Sequence, residues 1–303
     1  MANTVEKKQE ERVIVEGTSL WKDAYRRLKK NKPAMVCLYV VLFLVLLCFL
    51  GPWVIDTFFP SYSYRQTDLV LKAQPPSLKH WFGTDFLGRD LFSRVLMGGK
   101  ISIKIGLIAA IVAAIFGTVY GAISGYASRR VDNLMMRFVD VMYSLPYMFL
   151  VIIFITMTDS KSEVLLFAAL GLVGWLTTAR IVRGQVLGLK NREFVLAAKS
   201  VGVSSAGIIF KHLIPNTLGP VIIYFTLTVP TMILQEAFLS FLGLGVQPPK
   251  PSLGSLINDG ANHMIAFWWE LVFPGMFMAI LLFCLNFLGD GVRDALDPQM
   301  RKD

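Results

Sequence analysis

Residues 191–216 read NREFVLAAKSVGVSSAGIIFKHLIPN, a polar stretch set between two long apolar runs. Asn191 can cap a helix whose first turn carries Glu193, a carboxylate placed where the helix dipole favours it. Phe194, Ala197, Ala198 and Val201 then recur at helical spacing and form one small apolar face. Gly202 breaks that helix, Ser204 or Ser205 can cap a second one through Ile208, Ile209 and Phe210, and Pro215 ends it before the next apolar run. The expected product is a helix, a turn and a helix along a membrane surface, with two alanines that let another protein's backbone approach. An interfacial helix pair resting on lipid has the same spacing, so the residues alone leave both readings open.

The flanking runs make this an integral membrane chain. Of 303 residues 54% are hydrophobic and 17% charged, and mean hydropathy is +0.56. A hydrocarbon core about 30 Å thick takes about 20 apolar residues of helix to cross. Every backbone polar group must then be satisfied within the helix itself. Six runs qualify, at residues 34–55, 103–125, 139–157, 164–181, 217–241 and 271–289. The fold class is therefore all-α, with six transmembrane helices and the 190–216 loop between the fourth and fifth. The expected organisation is a cytoplasmic N-terminal segment at 1–33, and a first span with a long extracytoplasmic loop at 34–102. A core of five spans at 103–289 and a cytoplasmic tail at 290–303 complete it.

Lys and Arg counts set the orientation. Segments 1–33, 126–138, 182–216 (with Arg180) and 290–303 together hold 21 of these residues, against 8 in the alternate loops. That bias puts both termini in the cytoplasm. Arg89, Arg94 and Lys100 crowd the outer end of the second span, in a loop of the length at which the rule weakens. The net charge of +9 is thus accounted for by topology and anionic lipid, and calls for no nucleic acid. Residues 1–33 mix acidic and basic side chains before a long apolar run, which reads as an uncleaved anchor rather than a cleaved signal. Within them residues 19–30 are amphipathic: Leu20, Ala24 and Leu28 share a face flanked by Trp21 and Tyr25, suited to the membrane surface.

Cys37, Cys48 and Cys284 fall in apolar runs without CxxC spacing, and His80, His212 and His263 lie in three different loops. No disulfide framework, metal site or nucleophilic triad is implied, and the expected metal and catalytic sets are empty. A phosphate-cradling loop needs GxxxxGK followed by Ser or Thr. The one Gly-Lys pair is Gly99–Lys100, with Arg94 where the first glycine would stand. A channel, an ion-coupled carrier, or the membrane half of a transporter driven by another polypeptide remain. Carriers place ionisable relays inside the membrane, where a charge is costly. Here Lys104 enters its span by one residue, Asp140 stands three residues after Arg137, and Glu236 lies just inside the outer end of the fifth span. An i,i+3 pair with Arg137 accounts for Asp140 as well as a functional role does. Asp140 and Glu236 are the candidates for a translocation path or gate.

The segment REFVLAAKSVG, followed by HLIPN, resembles the EAA loop of the membrane subunits of binding-protein-dependent ATP-binding-cassette importers. In that family a short cytoplasmic coupling helix docks into a cleft of the ATPase. The resemblance implies that Ala197, Ala198 and Gly202 stand at its Ala-Ala and Gly positions and Pro215 at its closing Pro, with Glu193 and Phe194 in the contact. Leu196 stands where that motif usually has Glu. FGTDFLGRDLFSRVLMGGKISIKIG at 82–106 and SFLGLGVQPPKPSLGSLINDG at 240–260 resemble the C-type membrane subunits of the peptide and nickel permease group. VEGTSLWKDAYRRL, ARIVRGQ and NFLGDGVRDALDP extend the likeness over almost the whole chain. It implies a type I importer fold and oligopeptide import. It further implies a second, homologous permease subunit as heterodimer partner, two cytoplasmic ATPases holding ATP and Mg, an extracytoplasmic peptide-binding protein, and a bacterial inner-membrane location.

The outer segments also have a local reading. Thr84 or Asp85 can cap an amphipathic stretch with Leu87, Leu91 and Val95 at four-residue spacing, expected to lie on the membrane before the second span. Asp85, Arg89 and Asp90 can pair among themselves. The stiff loop containing Pro248, Pro249 and Pro251 is a candidate docking surface for the binding protein or a rigid connector.

Overall fold

The computed structural model describes residues 20–157 and 163–296, the side chains of residues 20, 21 and 163 aside. The readings made on residues 1–19, on Lys161 and on residues 297–303 lie outside the described residues. Helix α1 (Leu20–Lys30) is the amphipathic lead-in: Ala24 is buried and Lys22, Tyr25, Arg26, Lys29 and Lys30 are exposed. Asn31 ends it and caps the next helix, its Oδ1 accepting from the Ala34 amide at 3.2 Å, with Pro33 in the first turn of α2 (Lys32–Phe58).

The loop after α2 runs to Asp90 and folds on itself. Asp85 Oδ1 accepts from the amides of Leu87 and Arg89, and Thr84 bridges to Asp90. These local bonds hold residues 83–90 as a turn, so the surface helix expected from Thr84 or Asp85 does not form. Asp90 is the cap instead, its Oδ1 accepting from Ser93 at 2.9 Å. From there α3 (Leu91–Tyr126) runs without interruption for 36 residues. At 1.5 Å per residue that is about 54 Å, far more than the hydrocarbon needs. Leu91 and Val95 are accordingly buried in the chain's own core rather than laid on lipid. The boundary expected at residue 102 falls inside this helix.

The third span also departs from expectation. In place of one helix over 139–157 there are two, α4 (Arg129–Ser144) and α5 (Tyr147–Thr156), bent by 85°. Pro146 is the cause: it lacks an amide hydrogen and pushes the preceding Leu145 to extended backbone, φ −87° and ψ 137°. Among the described residues five helices are long and apolar enough to cross a membrane, and the bent pair makes a sixth crossing if counted as one broken span.

Helix α6 (Glu163–Leu189) leads to α7 (Glu193–Ser200), then α8 (Ser205–Gly207), a π-helical turn at Ile208–Leu213, and α9 (Ile214–Phe241). Pro215 does not end the second surface helix, because the chain stays helical through it into the span. The wide π turn just before it gives the proline ring the room an α turn would deny. Helices α10 (Leu253–His263) and α11 (Trp269–Leu296) complete the described residues, and α11 continues past residue 290.

Helix α3 is the hub, packed by α2, α6, α9, α10 and α11. Its closest neighbour is α6, met along Gly117, Gly121 and Gly125, where Thr178, Val182, Val186 and the Ala179 carbonyl fill the space a side chain would need. Lipid offers helices no hydrophobic drive to associate, so small residues that let backbones approach are how such a contact is made. Gly121→Leu would collide with α6 backbone. We expect it to abolish accumulation of folded protein in the membrane, measured by detergent-resistant monodispersity, whereas Gly184→Leu, with open space around it, should accumulate normally.

Candidate functional site

The loop 190–216 forms a unit with its own core. Val195 and Ala198 of α7 are buried with Ile208, Ile209 and Leu213 against Ala122 of α3, Val182 and Val186 of α6, and Val221 of α9. Lys199 Nζ lies 5.2 Å from the centre of the Tyr126 ring, a cation–π contact to the end of α3. Gly202 makes the turn with φ +81°, a conformation costly for a side chain. Ser204 caps the following helix, its Oγ accepting from Gly207 at 3.2 Å. The first cap is Arg192 rather than Asn191, and it makes no side-chain bond.

This packing divides the expected contact residues. Glu193, Phe194, Ala197 and Gly202 are exposed, as are Leu196 and Val201. Ala198 faces inward, so the two alanines do not share a surface: Ala197 is presented and Ala198 anchors. The single apolar face read from the spacing is really two, because Val195, omitted from it, takes the inner one.

Beside this unit α4 is clamped to the bundle. Arg183 of α6 donates from Nε and Nη2 to the two oxygens of Asp132 at 2.6 and 2.7 Å, and Ser124 of α3 adds a third bond at 2.6 Å. A bidentate fork of this kind fixes orientation as well as distance. Asp140 pairs with Arg180 at 2.7 Å, not with Arg137, and the Arg180 guanidinium lies 4.0 Å over the Tyr143 ring. Both partners are about half exposed, so this pair holds less firmly than the buried one. Above it the α4–α5 bend, α6 and α9 enclose a cavity of about 560 Å³ lined by Tyr143, Tyr147, Thr177, Thr228, Thr231 and Gln235 among others. Gln235 Oε1 is buried there with no hydrogen-bond partner among the described residues. The sequence reading missed this cavity and its clamp. The only available signals were the Leu145–Pro146 break and the charges spaced along 129–140.

Glu236 is not on that cavity. It is fully buried between α3, α9 and α10, where Ser102 Oγ donates to one carboxyl oxygen at 2.7 Å and Ser240 Oγ to the other at 2.6 Å. Ser102 Oγ in turn accepts from the Leu253 amide, the start of α10. Glu236 thus ties α9 to α3 and, through Ser102, to the start of α10.

Beyond α10 lies a buried charge cluster. Arg89 and Arg94 both donate to Asp85 Oδ2 at 2.7 Å, while Asp90 pairs with His80 at 2.9 Å. Burial raises the Asp259 carboxyl above its ordinary range, and the Arg89 charge draws it back. Pro248 and Pro249 are exposed and rim a cleft of about 320 Å³ shared with Phe86, Arg89 and Asp259.

Comparison with known proteins places this geometry. Residues 117–302 match the family model described as binding-protein-dependent transport system inner membrane component, and residues 19–76 match the N-terminal TM domain of oligopeptide transport permease C. The chain belongs to the binding-protein-dependent permease family. An oligopeptide transport system permease protein of Haemophilus influenzae is 48% identical over 96% of this chain and 92% of its own length. One from Bacillus subtilis is 43% identical over 96% and 94%, and a dipeptide transport system permease of the same organism 44% identical over 94% and 87%. A solved chain of the MetNI methionine ABC transporter, in inward-facing form, aligns with 67% of this chain and 96% of its own at TM-score 0.50 and 17% identity, a likeness of fold. This permease is therefore a multi-pass inner-membrane protein of the type I importer fold. The family match takes in the clamp, the cavity and the loop unit; the N-terminal match takes in α1, α2 and the start of the loop after α2.

Glu236→Leu separates a tie from a path residue. Removing the acceptor of two buried hydroxyls costs about 1–3 kcal/mol each, so the permease should lose thermal stability, and Glu236→Gln should lose less. A leucine variant as stable as the parent but unable to transport would return Glu236 to the path.

Proposed function

We propose that this permease forms half of the translocation path of an ATP-driven oligopeptide importer and transmits ATPase movement through α7. The observation that supports it best is the division of α7. Val195 and Ala198 lock the helix to α3, α6 and α9, while Phe194, Leu196, Ala197 and Val201 stand exposed beyond the bundle. A helix so anchored moves with its spans, so a partner that grips the exposed face can move them. Ala197 gives that face a small residue at its centre. Leu196 supplies an apolar contact where an acidic one is usual in the family, and Glu193 is the acid nearest to it.

The path itself is the cavity at the α4–α5 bend. A homologous permease across it would close the open side and complete a channel between the two chains. Its lining mixes aromatic and aliphatic side chains with threonine hydroxyls and the Gln235 amide. That chemistry suits peptides of varied sequence, whose common feature is a backbone of donors and acceptors. The α4 clamp holds one wall, and the looser Asp140–Arg180 pair lies at its rim. Both termini and α7 then face the cytoplasm with two ATPases, which bind ATP and Mg. The Pro248–Pro249 cleft faces an extracytoplasmic peptide-binding protein. This chain has no catalytic role of its own in the scheme.

Ala197→Trp tests the coupling. The site is exposed, so stability should change by about 0.5 kcal/mol or less, while peptide uptake and peptide-stimulated ATP hydrolysis by the assembled transporter both fall at least about tenfold, the equivalent of roughly 1.4 kcal/mol. Unchanged uptake would refute the assignment. Liposomes holding this chain alone with an ion gradient should take up no peptide; uptake there would establish an ion-coupled carrier instead.

A further inference from the structure

We propose that the elbow between α1 and the end of α11 is a binding site for the headgroup of an anionic glycerophospholipid. A cavity of about 600 Å³ opens there, lined by Arg26, Arg27, Lys30, Asn31 and Asp23 of the α1–α2 turn and by Gly291, Asp294 and Ala295 of α11. It is a built elbow: Ala34 and Leu28 pack so closely on Gly291 that a side chain there would meet both. The walls cannot drift apart without opening that contact.

The lining specifies the chemistry. Asp23 stands one turn from Arg27 on α1, where opposite charges offset each other. Arg26 and Lys30 are exposed and have no ion-pair partner among the described residues. Asn31 spends its carbonyl oxygen on the α2 cap, which leaves its amide as a donor. These groups present two cations and a donor to a phosphodiester. Asp294, on the facing helix, can accept from hydroxyls, so a headgroup carrying both a phosphate and hydroxyl groups matches the cavity on both sides.

Two features point to a lipid rather than a free phosphate. The site lies where α2 begins and α11 ends, the depth of the headgroup layer, where basic pockets between spans hold acidic headgroups. A stripe of exposed side chains, Ile280, Phe283 and Phe287, then climbs α11 at helical spacing toward Gly291. It gives acyl chains an apolar track leading from the cavity into the hydrocarbon. The cation–carboxylate balance favours an anionic over a zwitterionic lipid, since the latter adds an ammonium where Arg26 and Lys30 already stand.

The full chain, purified and delipidated in detergent, should be titrated with dioctanoyl phosphatidylglycerol, dioctanoyl phosphatidylcholine, glycerol 3-phosphate and inorganic phosphate, with binding read by native mass spectrometry and thermal shift. Phosphatidylglycerol should bind and stabilise, the choline lipid and the soluble phosphates much less. The combined variant Arg26→Gln, Arg27→Gln, Lys30→Gln should weaken that binding by roughly a hundredfold, and Phe283→Ser with Phe287→Ser should weaken it while leaving any soluble-phosphate binding unchanged. Retention of binding by the triple variant overturns the proposal, as does equal binding of phosphatidylcholine. Equal binding of inorganic phosphate, insensitive to the phenylalanine changes, would make the site one for a free anion and also overturn it.

Discussion

The backbones of α3 and α6 meet along Gly117, Gly121 and Gly125, and the α4 clamp and the α7 loop unit are both built on these two helices. In water such helices would be pressed together by burial of apolar area. In a bilayer that drive vanishes, and close packing of small residues with a few charge-assisted bonds must replace it. The bidentate Asp132–Arg183 pair supplies those bonds, tying α4 to the same two helices through Ser124. The loop unit of α7 to the π turn rests on the same region, on Ala122, Val182 and Val186. The α7 unit, the clamp and the cavity thus rest on the same two helices, and under the proposed function a movement imposed on α7 would reach the cavity through them.

A second polar tie operates at the opposite end. Glu236, Ser102, Ser240 and the Leu253 amide make a satisfied network inside the bundle. A carboxyl group there would be very costly unless paired, and each of its oxygens has a hydroxyl donor. The network seats α10, and through Trp269 Nε1, which donates to the Thr84 carbonyl, α11 is fastened to the loop after α2 as well. The surface that carries Pro248 and Pro249 is therefore held to the same spans whose other ends carry α7.

The sequence was most legible where one physical rule acts alone. Apolar length fixes a span whatever surrounds it, so the first, second, fourth, fifth and sixth runs each lie inside a spanning helix, which extends up to eight residues past the apolar limits and further at the start of α3. Gly202 was legible because only a residue free to take positive φ makes that turn. Two things were hidden. The start of α3 at Leu91 depended on Asp85 spending its oxygens on the loop, and the break at Leu145–Pro146 was masked by apolar residues on both sides. The burial of Glu236 was hidden for a related reason: Ser102 and Leu253 are distant from it in sequence, and a lone acid in a span looks the same whether it meets water or a hydroxyl. Ala198 faces inward because it shares a helix face with Val195, three residues earlier, which the face read from the spacing leaves out.

Site-directed cross-linking tests the central claim, that α7 is gripped from its exposed side by an ATPase while its inner side stays locked to the spans. The native Cys37, Cys48 and Cys284 are buried, so single cysteines at Ala197 and at Ala198 can be compared in the assembled transporter. Rapid cross-linking from Ala197→Cys to the ATPase, modulated by ATP, is expected, and none from Ala198→Cys. Absence of any cross-link at Ala197 in a complex that hydrolyses ATP and imports peptide would contradict it.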